Sequence, residues 1–161
     1  MRLSFDLDDT LFINPQTTKA EPKLNFPFSL LYPDRLRAGT VSLMHTLHDM
    51  GAEVWIYTTS FRSERYIRNL FRHYHIKIDT VINGTRHALE VQGNKTEMMP
   101  SKYPSHYRID LHIDDDISVL ENGKYYGFQV YLIQEHDELW TEKILEQIHQ
   151  KKNPAYPAIK E

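Results

Sequence analysis

Asp6 and Asp8 stand two residues apart in the segment Phe5-Asp6-Leu7-Asp8-Asp9-Thr10-Leu11, directly after a short apolar run. In extended backbone, residues i and i+2 face the same side, so this spacing predicts that the two carboxylates converge on one small volume. Ionised carboxylates crowded together repel, and such a pair must bind a cation, hold a proton, or both. Asp9 is expected to point away, and Thr10 to bond locally and hold the turn. A second acidic group, Asp114, Asp115 and Asp116, follows another apolar run much later in the chain. Between them lie the hydroxyls of Thr58 and Thr59 and the lysines Lys95 and Lys102. A hard divalent cation with oxygen ligands suits this set. Magnesium is the expected cofactor, because it takes few carboxylates, keeps several waters and accepts a phosphate oxygen. With magnesium and a phosphate present, a lysine and a hydroxyl would neutralise and orient the phosphoryl oxygens.

The elements that must position these groups follow from periodicity. Residues 2–5 alternate as a first strand. Residues 13–39 contain Pro15, Pro22, Pro27 and Pro33, which exclude a long helix or a central strand. Leu24, Phe26, Phe28, Leu30, Leu31 and Tyr32 should make this stretch pack, as an ordered flap crossing the mouth of the site or as a surface loop patching the core edge. Thr40 is placed to cap a helix carrying Val41, Met44, Leu47 and His48 on one face and stopped by Gly51. Residues 53–57 form a buried strand ending at Thr58, and a second helix starts near Ser60 or Ser63, with Ile67, Leu70, Phe71 and Tyr74 in helical register. A third strand spans 78–82 and is broken by Asn83-Gly84; residues 85–107 allow only short pieces. A fourth strand spans 111–113, a short helix runs up to Gly123, a fifth strand spans 128–133, and Trp140, Ile144, Leu145 and Ile148 mark a closing helix. Strands alternating with helices predict a three-layer, Rossmann-like α/β domain: a five-stranded, mostly parallel sheet with helices on both faces. Ligands of such sheets bind at the carboxyl ends of the strands, where Asp6, Thr58 and Asp115 fall. One domain over 1–150 is expected, with 13–39 as a short flap in place of a cap and 151–161 as a C-terminal tail.

Composition narrows the chemistry. The 161-residue chain has no cysteine, which excludes disulfides, thiolate catalysis and cysteine zinc sites. It has no Gly-rich Lys-Ser/Thr loop of the P-loop type. A net charge of -3 gives no global reason to expect nucleic acid as a partner. With a first strand beginning near Arg2 and no apolar run long enough for a bilayer, no membrane partner is expected and a cytoplasmic location is the default.

The ordered set of motifs resembles the haloacid dehalogenase (HAD) superfamily of phosphohydrolases. Phe5 to Leu11 matches the first family motif, an apolar run followed by Asp-x-Asp-x-Thr or Val. Val54 to Thr58 resembles the second, an apolar strand ending in Thr or Ser, and Leu111 to Asp115 the fourth, an apolar strand ending in paired acids. The third motif is a lysine; Lys102, followed by Pro104 and at modest distance from the fourth strand, fits it better than Lys95. The resemblance spans residues 2–133 in the expected order. It implies a magnesium-dependent phosphatase working through an aspartyl-phosphate: Asp6 as nucleophile, Asp8 as proton carrier, Thr58 and Lys102 on the phosphoryl oxygens. Magnesium would be held by the Asp6 carboxylate, the Asp8 backbone carbonyl and an acid of the fourth strand, Asp115 in preference to Asp114, with Asp116 capping the next helix. Thr59, Asn83 and Arg86 are candidate substrate contacts. The substrate would be phosphorylated, either a small molecule under the flap or a second subunit, or a macromolecule at a site left open by the missing cap.

Two other classes compete. A response-regulator receiver also combines acids, a Thr and a Lys on a parallel sheet, but Thr58 occupies the strand end where its phosphorylated Asp would stand. A phosphate-binding or regulatory module without catalysis has less need to retain both Asp6 and Asp8. Arg62, Arg65, Arg68 and Arg72 read as a solvated basic helix face rather than a polyanion site, and His45/His48 and His73/His75 lack the further ligands a metal would need.

Overall fold

The computed structural model describes residues 1–152; of the expected tail, 153–161 lie outside the described residues. The chain forms β1 (Arg2–Phe5), α1 (Phe28–Leu31), α2 (Thr40–Asp49), β2 (Glu53–Tyr57), α3 (Glu64–His73), β3 (Thr80–Ile82) and α4 (Gly84–His87). A π-helical stretch, Ala88–Gln92, and a 3-10 turn, Pro104–Tyr107, lead to β4 (Leu111–Asp114), α5 (Ile117–Tyr126), β5 (Val130–Leu132) and α6 (Trp140–Lys152). All strand pairs are parallel, in the order β3-β2-β1-β4-β5. The chain builds outward from β1 through β2 to β3, then returns to the other side of β1 for β4 and β5. The switch point therefore lies between β1 and β4, the crevice where such sheets bind ligands.

Alternation along the strands divides the core. Val54 and Ile56 join Leu3, Phe5, Leu111 and Ile113 in a large apolar cluster with Leu43, Met44 and Leu47 of α2, Ile67, Leu70 and Phe71 of α3, and Trp140, Ile144 and Ile148 of α6. Trp55 and Tyr57 point the other way, into a smaller cluster with Ile82, Val91, Tyr107 and Ile109. Both faces of the central strands are thus buried, as a parallel sheet requires.

Several local expectations change. α2 is capped by Gly39 at φ 89°, not by Thr40, whose hydroxyl donates to the Arg37 carbonyl at 2.7 Å. Its buried face is Thr40, Leu43, Met44 and Leu47, so Val41 and His48 sit at the margin. β3 and β5 are shorter than the apolar runs that suggested them, because pairing covers only three residues of each. α5 continues past Gly123 to Tyr126 and stops at Gly127, whose φ of 73° suits a glycine C-cap. Gly123 lies inside the helix where a Cβ would stand 2.7 Å from the Phe128 carbonyl oxygen, so a larger residue there would displace the turn into β5. α6 runs on through Lys151 to Lys152. The 13–39 stretch packs by its two ends, with isolated bridges Phe12 to Leu36 and Ala20 to Arg37. Its short α1 lies toward α3, where Phe28 stacks on His73 with ring centroids 3.9 Å apart. No helix among the described residues is long and apolar enough to cross a membrane.

Candidate active site

Register delivers the first acid. Phe5 pairs with Ile113 on one side and Ile56 on the other, so the next residue, Asp6, emerges beside Asp114, and its N–H donates to the Ile113 carbonyl at 2.9 Å. The backbone then turns. The N–H groups of Leu11 and Phe12 donate to the Leu7 carbonyl, and Asp9 takes φ 59°, a left-handed conformation that Asp tolerates. The Asp8 carboxylate, expected to converge with that of Asp6, is not one of the acids grouped with it among the described residues. Asp8 instead faces Arg62, whose Nη1 lies 2.9 and 3.0 Å from its two oxygens. Thr10, expected to bond within the turn, reaches across to donate to Asp115 Oδ1 at 2.8 Å. That bond ties the first acidic segment to the second.

The cluster that does form is Asp6, Asp114 and Asp115, each offering a carboxylate oxygen within 4.8 Å of the others. Lys102 threads between them, with Nζ at 2.7 Å from Asp6 Oδ1 and 2.5 Å from Asp114 Oδ2. Lys95, the other candidate, donates to the Val91 carbonyl and stays outside. Behind Asp114, His112 Nε2 lies 2.7 Å from Oδ2, and His112 Nδ1 lies 2.7 Å from Ser4 Oγ, its register partner across β1 and β4. Ser4, His112 and Asp114 are all fully buried.

Burial pushes the Asp6 carboxyl up to about 6, with Asp114 adding to the rise and Lys102 opposing it. For Asp114, burial also acts upward, but the His112 hydrogen bond and the Lys102 ammonium outweigh it and hold the carboxyl below the ordinary range. Burial disfavours the Lys102 ammonium, yet the two carboxylates together keep its pKa above the usual lysine value. Asp115 is raised by burial, with the Thr10 bond working against the rise. The arrangement is one buried cation serving two buried anions, with a third carboxylate alongside.

This donor set fits a hard divalent cation. Three carboxylates meet where only one ammonium balances them, and Asp6 Oδ1 has no hydrogen bond of good geometry despite its burial. Asp114 is the more committed ligand: Oδ2 meets Lys102 and His112, and Oδ1 accepts the Asp116 N–H. Asp115 has one partner, Thr10. Asp116 caps α5, accepting from the Ser118 N–H.

Thr58 is 1% exposed at the end of β2, held by its N–H on the Ile82 carbonyl. Its Oγ1 accepts the Ser60 N–H at 3.1 Å, and no described group accepts its own hydrogen. Thr59 is exposed on the same loop. Asn83 and Arg86, expected near substrate, are engaged with the protein itself. Asn83 caps α4 and donates to the Arg62 carbonyl, while the Arg86 guanidinium pairs with Glu90 and the Val81 carbonyl. Gly84 matters more than either: a Cβ there would stand 2.5 Å from the Thr59 carbonyl oxygen, so only glycine lets α4 abut the Thr58–Ser60 loop. Gly84→Ala is expected to destabilise the protein by about 1–3 kcal/mol in a denaturant titration, through displacement of that loop.

Two participants escaped the sequence reading. Arg62, grouped there with a solvated helix face, precedes α3 and holds Asp8, Asp34 of the flap at 3.3 Å and Ser60 Oγ at 2.9 Å. Asp34 is also bound by Tyr66 Oη at 2.7 Å. His112 stood in view as a lone imidazole inside an apolar run ending in acids, which signals a buried partner. Of the other histidine pairs, His45 Nε2 lies against the His75 carbonyl and His48 against Asp79. Among the described residues neither pair belongs to a group of metal-ligating side chains.

Comparison with known structures agrees with this architecture. A HAD-superfamily hydrolase from Geobacter sulfurreducens superposes with a TM-score of 0.56 at 13% identity, over 91% of this chain and 98% of that one. The fold is that of the HAD hydrolases. The HAD domain of the effector protein Lem4 from Legionella pneumophila gives a TM-score of 0.53 at 13% identity, over 96% and 97% of the two chains. A chain of the Pnkp1/Rnl/Hen1 complex gives 0.52 at 15% identity; the match covers 84% of this chain and only 46% of that longer one. No model of a protein family matches the sequence, and no curated protein matches it.

Proposed function

We propose that this chain is a magnesium-dependent phosphatase that cleaves a phosphate monoester by way of an aspartyl-phosphate on Asp6. The observation that carries the reading is the Asp6–Lys102–Asp114 ion-pair chain, with Asp115 alongside, at the switch point of a HAD fold. Asp6 would attack phosphorus, forming the carboxyl O–P bond as the ester P–O bond breaks. Asp8, in its protonated form, would give its proton to the departing alkoxide. It would then take one from the water that attacks the aspartyl-phosphate, releasing inorganic phosphate and restoring Asp6. Thr58 would donate to a phosphoryl oxygen, and Lys102 would offset the charge shared by Asp6 and the incoming phosphate. Asp6, Asp115 and the Asp8 carbonyl would hold magnesium, which supplies charge neutralisation at the phosphoryl oxygens.

Arg62 shapes the role of Asp8. It holds that carboxylate in place and links it to Asp34 of the flap, so Arg62→Gln should lower kcat about tenfold to a hundredfold through lost orientation. Arg65→Gln, exposed in the first turn of α3, should leave kcat unchanged. Steady-state kinetics of the two variants make the comparison.

The 13–39 stretch is too short and too rich in proline to form a cap domain, which supports an open site and a large substrate. The similarity to a chain from a complex described as an RNA repair assembly keeps nucleic-acid ends among the classes to assay. Hydrolysis of p-nitrophenyl phosphate that needs magnesium and stops with chelator supports the enzyme reading. Inactivity on that ester, phosphopeptides, end-phosphorylated oligonucleotides, nucleotides and sugar phosphates alike would favour a phosphate-binding module. Magnesium at about 100 times its dissociation constant should also stabilise the protein by about 2.7 kcal/mol, seen as a rise in Tm that EDTA reverses.

A further inference from the structure

A row of polar side chains lies beneath the Asp6 cluster, inside the sheet. Ser4 and His112 are register partners across β1 and β4, and each stands two residues before an acid, Asp6 and Asp114. In extended β4, His112 and Asp114 face the same side, and the imidazole Nε2 lies 2.7 Å from Asp114 Oδ2. Its Nδ1 lies 2.7 Å from Ser4 Oγ. Neither Ser4 nor His112 has exposed surface, and the Tyr57 ring packs beside the imidazole with centroids 5.8 Å apart. A carboxylate oxygen only accepts and burial disfavours the imidazolium, so Nε2 carries the hydrogen and Nδ1 accepts from the Ser4 hydroxyl. The bond completes the surroundings of Asp114. Oδ1 accepts the Asp116 N–H at 2.9 Å, while Oδ2 accepts from His112 and from Lys102 Nζ, the latter at 2.5 Å. An ammonium has three N–H groups; Asp114 takes one, which leaves two for Asp6 and a phosphoryl oxygen.

Burying an imidazole and a hydroxyl carries a desolvation cost that an apolar pair of similar shape avoids, and replacing both partners of such a bond by apolar groups is often near neutral. The sheet therefore does not need a histidine at this position. What an apolar residue would not supply is the N–H on Asp114 Oδ2. Without it, Lys102 is the one side chain left on that oxygen among the described residues, and the carboxylate is free to rotate and take the ammonium with it. Displacements of about 1 Å at a reacting centre can cost a hundredfold in rate. Resting on the phosphatase reading of this site, we propose that His112 is a positioning residue for phosphoryl transfer: aligned by Ser4, it pins Asp114 so that Lys102 is held against Asp6 and a phosphoryl oxygen.

The test is steady-state hydrolysis of p-nitrophenyl phosphate with magnesium, run on full-length variants well below the Tm of each so that folded protein alone is assayed. His112→Leu removes the N–H and should lower kcat about tenfold to a hundredfold, with KM for the ester changed by less than about threefold. His112→Gln, whose side-chain amide can donate to the same oxygen, should return kcat to within about threefold of the parent. Ser4→Ala removes only the outer bond; it should lower kcat about threefold to tenfold, and it keeps the test valid if His112→Leu does not fold. Parental kcat in His112→Leu, or in Ser4→Ala where the leucine variant does not fold, would overturn the proposal and leave the phosphatase reading standing. So would equal losses in His112→Leu and His112→Gln. A parent inactive on every phosphate ester would overturn both.

Discussion

Asp6→Asn should abolish phosphate-ester hydrolysis, lowering kcat by at least about a thousandfold, while the protein remains folded and, without metal, becomes no less stable than the parent. An amide cannot form the acyl-phosphate at useful rates, so the chemical loss follows directly from the nucleophile assignment. The stability half follows from burial. The Asp6 carboxyl sits near 6 in the folded protein against 3.8 when unfolded, so the folded state binds its proton more tightly. Stability from this group is therefore fully present below about pH 4 and is lost as pH rises through 6, a change of order 3 kcal/mol. Asp114 has the opposite sign: its lowered pKa gives stability present above its unfolded value and lost as pH falls below it. Burial also lowers the pKa of His112 and His87, which adds stability as pH rises toward 7, so the Asp6 contribution is read in the difference between Asp6→Asn and its parent. In Asp6→Asn the neutral-side loss should vanish, and thermal melts at pH 4, 5, 6 and 7 read it directly. A variant that is inactive because it has unfolded, or one whose stability relative to the parent does not rise from pH 4 to 7, would refute this role of Asp6.

The second large effect concerns Lys102. Its ammonium is 4% exposed and is the lone side-chain cation in contact with Asp6 and Asp114 among the described residues. Lys102→Met preserves most of the volume and removes the charge, leaving two buried carboxylates facing each other. Breaking a buried ion pair on one side costs about 3–5 kcal/mol, which for a chain of this size lowers Tm by roughly 6–20 °C. Activity should fall with it, because the phosphoryl oxygens lose their neutralising group. Adding Asp114→Asn to Lys102→Met should recover part of the stability and none of the activity. The double variant thereby separates the structural role of the lysine from its catalytic one. Lys95→Met, whose ammonium meets only a carbonyl outside the site, should do neither.

Much of this architecture was legible because it depends on short-range pattern. The short apolar runs at 2–5, 53–57 and 111–113 mark buried parallel strands, and their carboxyl ends gather Asp6, Thr58 and the Asp114 group on one edge. The residues that only a chain fold can bring together were harder to see. Lys102 reaches Asp6 across nearly a hundred residues; Pro104 and the distance to the fourth strand favoured it over Lys95, but its contact with both Asp6 and Asp114 is a product of the chain fold. Asp8 meets a partner that local spacing does not show, Arg62, which lies 54 residues further along the chain. Thr10 bonds beyond its own turn, to half-buried Asp115 across the switch point, a contact that only the fold brings about. Arg62 stands next to an arginine-rich helix, and a charge pattern cannot distinguish it as the residue one before the helix cap that faces two carboxylates. His112 shows the reverse situation, since its signal was present and the Ser4 partner that explains it lay on another strand.

The most direct measurement is a crystal structure of the protein grown with magnesium and beryllium fluoride, which mimics a phosphoryl group bonded to a carboxylate. Trifluoroberyllate is expected on an Asp6 oxygen, with magnesium against Asp6 and Asp115, Lys102 and Thr58 donating to fluorides, and Asp8 held by Arg62 at the edge of the site. Beryllium on any other side chain, or magnesium bound away from Asp6 and Asp115, would contradict it.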